Sequence, residues 1–70
     1  MREIYATIGQ NIRKQRKRLG LTQEQLAAHA RLSSDYVSRL ELGKENPTVE
    51  VLARISQVCD VTMSTLVEGA

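Results

Sequence analysis

The sequence has no phenylalanine and no tryptophan, and only two tyrosines, Tyr5 and Tyr36. Its core must be assembled from Leu, Ile, Val and Ala, which suits thin helix-on-helix packing and predicts an all-α bundle. There is one cysteine, Cys59, and one histidine, His29. One thiol cannot close an internal disulfide, and the two side chains together cannot complete a structural zinc site. A chain without disulfides suits a reducing cytoplasm. No apolar run approaches the roughly 20 residues of a membrane span, and the first residues lack the apolar stretch of a signal peptide, so neither membrane association nor export is expected. Asn46-Pro47-Thr48 has the outline of a glycosylation sequon but carries proline in the excluded middle position. Gly-rich phosphate loops and clusters of metal-ligand residue types are missing as well. His29 is the sole imidazole and falls at a solvated helical position, so no catalysis, cofactor, metal or small-molecule ligand is expected.

The 70 residues are expected to form one domain, residues 1–70. A domain of that size buries only about 60% of the surface its unfolded chain exposes, so it must be compact and leans readily on a partner. Hydrophobic residues make up 41% of the chain, and ten basic against eight acidic residues leave a net charge of +2. That is a mild bias toward anions, in which clustering matters more than the total. The clustering lies in RKQRKR, Arg13 to Arg18, where five residues of six are basic.

The stretch from Thr22 to Gly43, TQEQLAAHARLSSDYVSRLELG, reads as two short helices joined by a tight turn. Thr22 is an N-cap, and Gln25, three residues on, completes a capping box. Leu26 and Ala30 share a face, with Ala27 small enough to let another backbone approach. Arg31, Leu32 and Ser33 form the turn, where Leu32 plugs the gap between the helices and Ser33 caps the second one. Val37 and Leu40 recur three apart, Tyr36 and Leu40 four apart, and Gly43 ends the helix as a residue that tolerates positive φ. Ser34, Asp35, Ser38 and Arg39 are left on the opposite face. Two crossed helices with a polar outer face predict a reader of double-stranded DNA, with residues 34–42 as the recognition helix entering the major groove.

The flanking segments are expected to close the bundle. Helix 1 begins between Glu3 and Thr7, buries Ile8, Ile12 and Leu19, and stops at Gly20. Lys44-Glu45-Asn46-Pro47 reads as a loop, because Pro47 biases Asn46 away from helix. Thr48 then caps a fourth helix in which Leu52, Ile55 and Cys59, flanked by Val58, close the core from the other side. Cys59 reads as a small buried hydrophobe. Asp60 ends this helix, Thr62 caps a short fifth, and Met63, Leu66 and Val67 give that helix an apolar face. Leu42 stands out as an exposed apolar residue on a polar edge.

The chain resembles the helix-turn-helix of the phage-repressor, Cro and restriction-controller group of bacterial transcriptional regulators. The residues that carry the likeness are TQEQLA, YVSRLELGK and NPTVEVLARI, and it extends from Ile8 to Val67. It implies a compact five-helix, lambda-repressor-like bundle in which Arg16 turns inward and pairs with Glu41, locking helix 1 to the end of the recognition helix. It implies that Gln23 clamps the DNA backbone, and it points toward a two-fold homodimer. Val61, Met63, Leu66 and Val67 carry more apolar surface than a small monomer comfortably exposes and form the expected interface, although core closure alone would use Val61 and Leu66. One position departs from the pattern: the turn residue that the family usually fills with Gly is Arg31, and a left-handed backbone there costs on the order of 1 kcal/mol.

Within this frame each outward residue acquires a role. Arg39 can donate two hydrogen bonds to guanine O6 and N7. Asp35 either accepts from cytosine N4, excludes other bases, or simply supplies the carboxylate favoured near a helix N-terminus. Ser34 and Ser38 complete the reading face. Gln23 on one side and Tyr36, Lys44 and Asn46 on the other are expected at phosphates, Tyr36 having the alternative of a packing ring with its hydroxyl in water. The basic run of helix 1 is either a solvated face or a set of cations of which one or two touch DNA. The main rival reading is a protein-interaction module of the same fold, an antitoxin or adaptor, which has no need of Arg39, Gln23, Lys44 and a basic helix 1 together. Repressor and activator, phage and restriction-system controller, and a contact to RNA polymerase all stay open. Regulation by the protein's own concentration is the economical expectation, because a chain of this length has no room for a ligand-sensing domain.

Overall fold

Isoleucine recurs every four residues near the N-terminus, at Ile4, Ile8 and Ile12, which lays one apolar stripe along a helix. In the computed structural model, which describes residues 2–70 and for Arg2 the backbone alone, that stripe belongs to α1 (Arg2–Arg18). It is followed by α2 (Gln23–Ala30), α3 (Ser34–Glu41), α4 (Val49–Cys59) and α5 (Met63–Val67). No strand forms among the described residues, and none of their helices is long and apolar enough to cross a membrane. The expected all-α, five-helix architecture is what the chain adopts.

Local chemistry sets most of the boundaries. The Thr22 hydroxyl accepts from the Gln25 N–H at 3.0 Å while the Gln25 side chain accepts from the Thr22 N–H at 2.9 Å, a reciprocal capping box at the start of α2. Ser33 accepts from the Tyr36 N–H at 3.0 Å to open α3, and Thr48 accepts from the Val51 N–H at 3.1 Å to open α4. Thr62 stands at the N-cap of α5, but its hydroxyl bonds Ser64 and Thr65 side chains instead of a backbone N–H.

The first four helices all stop in the same way. Each ends with a left-handed residue, followed by one whose N–H reaches back to a carbonyl in the last turn: Leu21 to Arg16 at 3.1 Å, Leu32 to Ala27 at 2.8 Å, Lys44 to Arg39 at 2.9 Å and Val61 to Ser56 at 3.0 Å. Gly20 and Gly43 supply two of the left-handed positions, with φ of 71° and 76°. Arg31 and Asp60 supply the others, with φ of 59° and 55°. The turn that departs from the glycine pattern thus keeps the glycine conformation.

Ile8, Ile12, Leu26, Ala27, Ala30, Val37, Leu40, Leu52, Ile55, Cys59 and Leu66 make the core, with Leu32, Tyr36, Val58, Val61 and Met63 half-buried against it. α3 packs on α1 and α2, α4 covers α2, and α5 closes the open end against α1 and α4. Burial pushes the Cys59 thiol above its ordinary pKa, as befits a side chain that acts as a hydrophobe.

Three expectations need correction. α1 starts at Arg2, ahead of the range from Glu3 to Thr7. Leu19 is 40% exposed instead of buried: its N–H still bonds the Gln15 carbonyl at 3.2 Å, but at this end of α1 it faces an open hollow shared with Leu21, Ala30, Arg54 and Val58. Leu66, named with the interface residues, is 0% exposed, because α5 closes the bundle against α1 and α4 by aiming this leucine into the core, with Met63 half-buried against it.

Side chains from distant helices finish the helix ends. Asn11 Nδ2 donates to the carbonyls of Leu66 and Glu68 at 3.0 and 2.8 Å, tying α5 to α1. Arg18 Nη2 donates to the Cys59 carbonyl at 2.9 Å and places a cation at the end of α4, whose own last turn has none. Arg54 Nη1 reaches the Ala30 and Arg31 carbonyls at 3.5 and 3.3 Å, while its Nη2 holds Glu50 at 2.8 Å and depresses that carboxyl's pKa.

α1 approaches α3 most closely at Gly9. A Cβ built there would lie 2.3 Å from the Leu40 carbonyl oxygen and 2.8 Å from that of Glu41, both backbone atoms. Gly9→Ala should therefore lower stability by about 3 kcal/mol in urea unfolding, as overpacking against backbone does. Gly20→Ala, with nothing within 4 Å of the new methyl, should lose only about 1 kcal/mol of backbone strain. Arg31→Gly, conversely, should raise the unfolding midpoint, a gain of up to about 1 kcal/mol, since both backbone bonds of that turn survive the change.

Candidate nucleic-acid interface

Arg16 falls four residues after Ile12 and so continues the buried stripe of α1 with a charge. Its Nε and Nη2 donate to Glu41 Oε2 and Oε1 at 2.6 and 3.0 Å, a two-pronged pair whose side chains are 11% and 3% exposed. Its Nη1 donates to the Leu21 carbonyl at 2.8 Å, and Gln23 Nε2 donates to Glu41 Oε1 at 3.1 Å. The Arg16–Glu41 pair therefore joins α1, the loop before α2, the first residue of α2 and the last residue of α3. The bond to Glu41 raises the Arg16 pKa against the opposing effect of burial. Among the described residues no buried side-chain nitrogen or oxygen lacks a partner, so the network is closed as a buried ionic group requires.

With its inner side held by Val37, Leu40 and Glu41, α3 turns Ser34, Asp35, Ser38 and Arg39 outward. Asp35 and Arg39 are exposed, and Ser34 and Ser38 are half-buried. The three residues Ser34, Asp35 and Ser38 share a shallow cleft with Thr22, Gln23, Glu24 and Arg16 at the mouth of α2. On the other side of α3, Lys44 and Asn46 line a second hollow with Tyr5, Gly43 and Glu45. The structure thus brings the predicted reading residues together on one face and sets the predicted phosphate residues to either side of it.

Two side chains are committed in ways the spacing did not foretell. Gln23 spends one of its amide hydrogens on Glu41, so its side chain lies inward and partly buried. Arg39 Nε donates to Glu45 Oε2 at 2.8 Å, and that bond, partly offset by desolvation, raises its pKa, with Asp35 and Tyr36 adding to the effect. Tyr36 packs its ring against the core. Burial raises its hydroxyl pKa, Glu45 adds to this and Arg39 opposes it.

Of the five cations in the run from Arg13 to Arg18, Arg16 is buried and Arg18 makes a structural bond while staying exposed, as Arg13, Lys14 and Lys17 do. Three contributors escaped the sequence reading. An isolated Gly9 within a helical pattern carried a weak signal, since a glycine there costs about 1 kcal/mol relative to alanine and so invites a packing reason. Tyr5 and Glu45 gave no such signal, because only the closure of the loop after α3 onto α1 brings them to this face.

Residues 12–66 match a protein family described as helix-turn-helix. Over 60 residues the chain is 40% identical to an uncharacterized HTH-type transcriptional regulator, y4dJ of Sinorhizobium fredii, covering 86% of this chain and 78% of that protein. It is 36% identical over 62 residues to the HTH-type transcriptional regulator SinR of Bacillus subtilis, covering 87% of this chain and 56% of SinR, so it spans about half the length of that relative. A crystal structure of SinR, a master regulator for biofilm formation, in complex with DNA superposes with a TM-score of 0.84 at 35% identity, over 87% of this chain and 98% of that one. The restriction-modification controller protein C.AhdI of Aeromonas hydrophila superposes with a TM-score of 0.86 at 29% identity, over 89% and 94% of the two chains.

The clamp at Arg16 makes its own prediction. Arg16→Met leaves the Glu41 carboxylate buried with only Gln23 beside it and should cost about 3 kcal/mol. Combining it with Glu41→Met removes the orphaned charge and should recover most of that loss in the same chemical-denaturation experiment, giving a large favourable coupling energy.

Proposed function

Because the chain belongs to the helix-turn-helix family of transcriptional regulators, we propose that it binds double-stranded DNA sequence-specifically, with α3 in the major groove, and so regulates transcription. The observation that carries this reading is the close superposition on SinR solved with DNA, joined to an α3 whose outward residues are free of the core. Both relatives bear the name of a transcriptional regulator, which supports a regulatory role.

In this proposal Arg39 reads guanine, Asp35 accepts from cytosine N4 or excludes other bases, and Ser34 and Ser38 supply adaptable hydrogen bonds. Phosphates are held by Lys44 and Asn46 on one side, near the Tyr36 hydroxyl. On the other side they meet the N–H groups at the start of α2, with the second amide hydrogen of Gln23. Gln23 is well suited to this because its bond to Glu41 fixes the amide in place. The exposed Arg13, Lys14 and Lys17 extend the positive field along α1.

We further propose a two-fold dimer on a palindromic operator, formed through α5 and Val61 just ahead of its N-cap. Val67 is 37% exposed, and Val61 and Met63 are half-buried. Leu66 supports this surface from within instead of crossing it. Two copies related by a dyad present two α3 helices to successive half-sites, which makes operator symmetry a direct consequence of protein symmetry.

Selection of bound duplexes from a random pool tests the proposal, and a two-fold symmetric site is the expected result. Affinity for that site should fall steeply with added salt, as counterion release demands; a flat salt response with no preferred duplex would instead favour a protein-interaction module. Arg39→Ala should lose about 1 to 3 kcal/mol of discrimination at one base pair per half-site. Gln23→Ala should weaken all duplexes about equally.

A further inference from the structure

Glu45 is a carboxylate beside the face proposed to meet phosphates, where charge alone would exclude it. Its position is fixed by the end of α3. The Gly43 N–H donates to the Leu40 carbonyl at 3.1 Å and the Lys44 N–H to the Arg39 carbonyl at 2.9 Å. Gly43 itself sits against α1, where an added Cβ would lie 2.8 Å from the Ala6 Cα. The loop is therefore pinned both to α3 and to α1 one residue before Glu45 and at the residue preceding that. From this rigid base Glu45 Oε2 accepts from Arg39 Nε at 2.8 Å, the two side chains being 30% and 49% exposed.

Arginine has a single hydrogen on Nε, and the remaining donors lie on its two Nη atoms in a planar fork. We propose that Glu45 is a specificity-determining residue that holds the Arg39 guanidinium by its Nε edge and presents the Nη edge to a guanine, an inference that rests on the DNA-reading role of α3. The carboxylate does so at the expense of general affinity. Its charge repels phosphates on every sequence, while its grip on Arg39 rewards only a base that can accept from both Nη groups. Holding the long arginine side chain in one arrangement before binding also reduces the rotamer freedom lost on contact. Glu45 is thus a positioning residue, acting on the base pair through Arg39.

The test measures binding of the wild type, Glu45→Ala, Glu45→Gln, Arg39→Ala and the Arg39→Ala/Glu45→Ala double variant to the selected duplex, to duplexes altered at the guanine lost by Arg39→Ala, and to a scrambled duplex. Glu45→Ala should reduce discrimination at that guanine about tenfold, with binding to the scrambled duplex no weaker than wild type because a repulsive charge has gone. Glu45→Gln keeps an oxygen to accept from Nε and should keep discrimination to within about threefold of wild type. In the Arg39→Ala background, Glu45→Ala should change discrimination no further. Melting temperatures should stay close to wild type throughout, since neither side chain is buried. If the wild type selects a duplex and Arg39→Ala loses one base pair while Glu45→Ala discriminates as well as wild type, the inference is overturned and the DNA reading stands. A wild-type chain that enriches no duplex overturns both.

Discussion

Glu41 places a carboxylate at the C-terminal end of α3, where the helix dipole disfavours negative charge and the bundle interior disfavours any charge. Arg16 makes the position tolerable. Its fork meets both carboxylate oxygens, and its remaining donor meets the carbonyl of Leu21. The pair is a poor source of net stability, because two desolvated ions gain little over well-packed apolar groups. What it does supply is geometry, since only one arrangement of α1, α2 and α3 satisfies every donor and acceptor at once. Gly9 strengthens that arrangement by letting the backbone of α1 come up against the last carbonyls of α3. The rotation of α3 about its axis, and with it the outward direction of Asp35 and Arg39, follows from this junction.

The same economy governs the rest of the bundle. Short helices cannot gain much from their own propensity, so their ends matter disproportionately. Here left-handed turns return two backbone N–H groups to the last carbonyls of α1 to α4, and Arg54, Arg18 and Asn11 reach across from other helices to the ends of α2, α4 and α5. Because each of these side chains belongs to a different helix from the one it caps, loss of α1 exposes the ends of α4 and α5, and loss of α4 exposes the end of α2. A small core of aliphatic residues is thereby tied into one cooperative unit. One positive charge of the basic run of α1, that of Arg16, is buried against Glu41 in this work, which leaves the surface less basic than the sequence suggests.

The face that results is mixed in charge. Arg39 and Lys44 lie among Asp35, Glu24 and Glu45, and no continuous basic patch covers α3. A surface built only to attract phosphate would not be arranged in this way. Interspersed carboxylates lower affinity for any anionic polymer and penalise wrong contacts more than right ones, which is the charge pattern of selective recognition and not of general adhesion.

Sequence alone determined the features that depend on neighbours along the chain: the caps at Thr22, Ser33 and Thr48, the stops at Gly20 and Gly43, the apolar spacing in each helix, and so the order and class of the elements. These are set within a turn or two, where backbone hydrogen bonds and side-chain periodicity act directly. Even the inward turn of Arg16 was within reach, since it lies on the Ile8 and Ile12 stripe, although a charge there is intelligible only with Glu41 opposite. Tertiary structure decided the rest. Leu19 stayed half out of the core because nothing fills the hollow at that end of α1, Leu66 entered it because α5 closes the open end of the bundle, and Glu45 met Arg39 because the loop after α3 is pinned to α1. Such outcomes turn on which surfaces remain uncovered once all five helices have packed, and no spacing within a single segment carries that information.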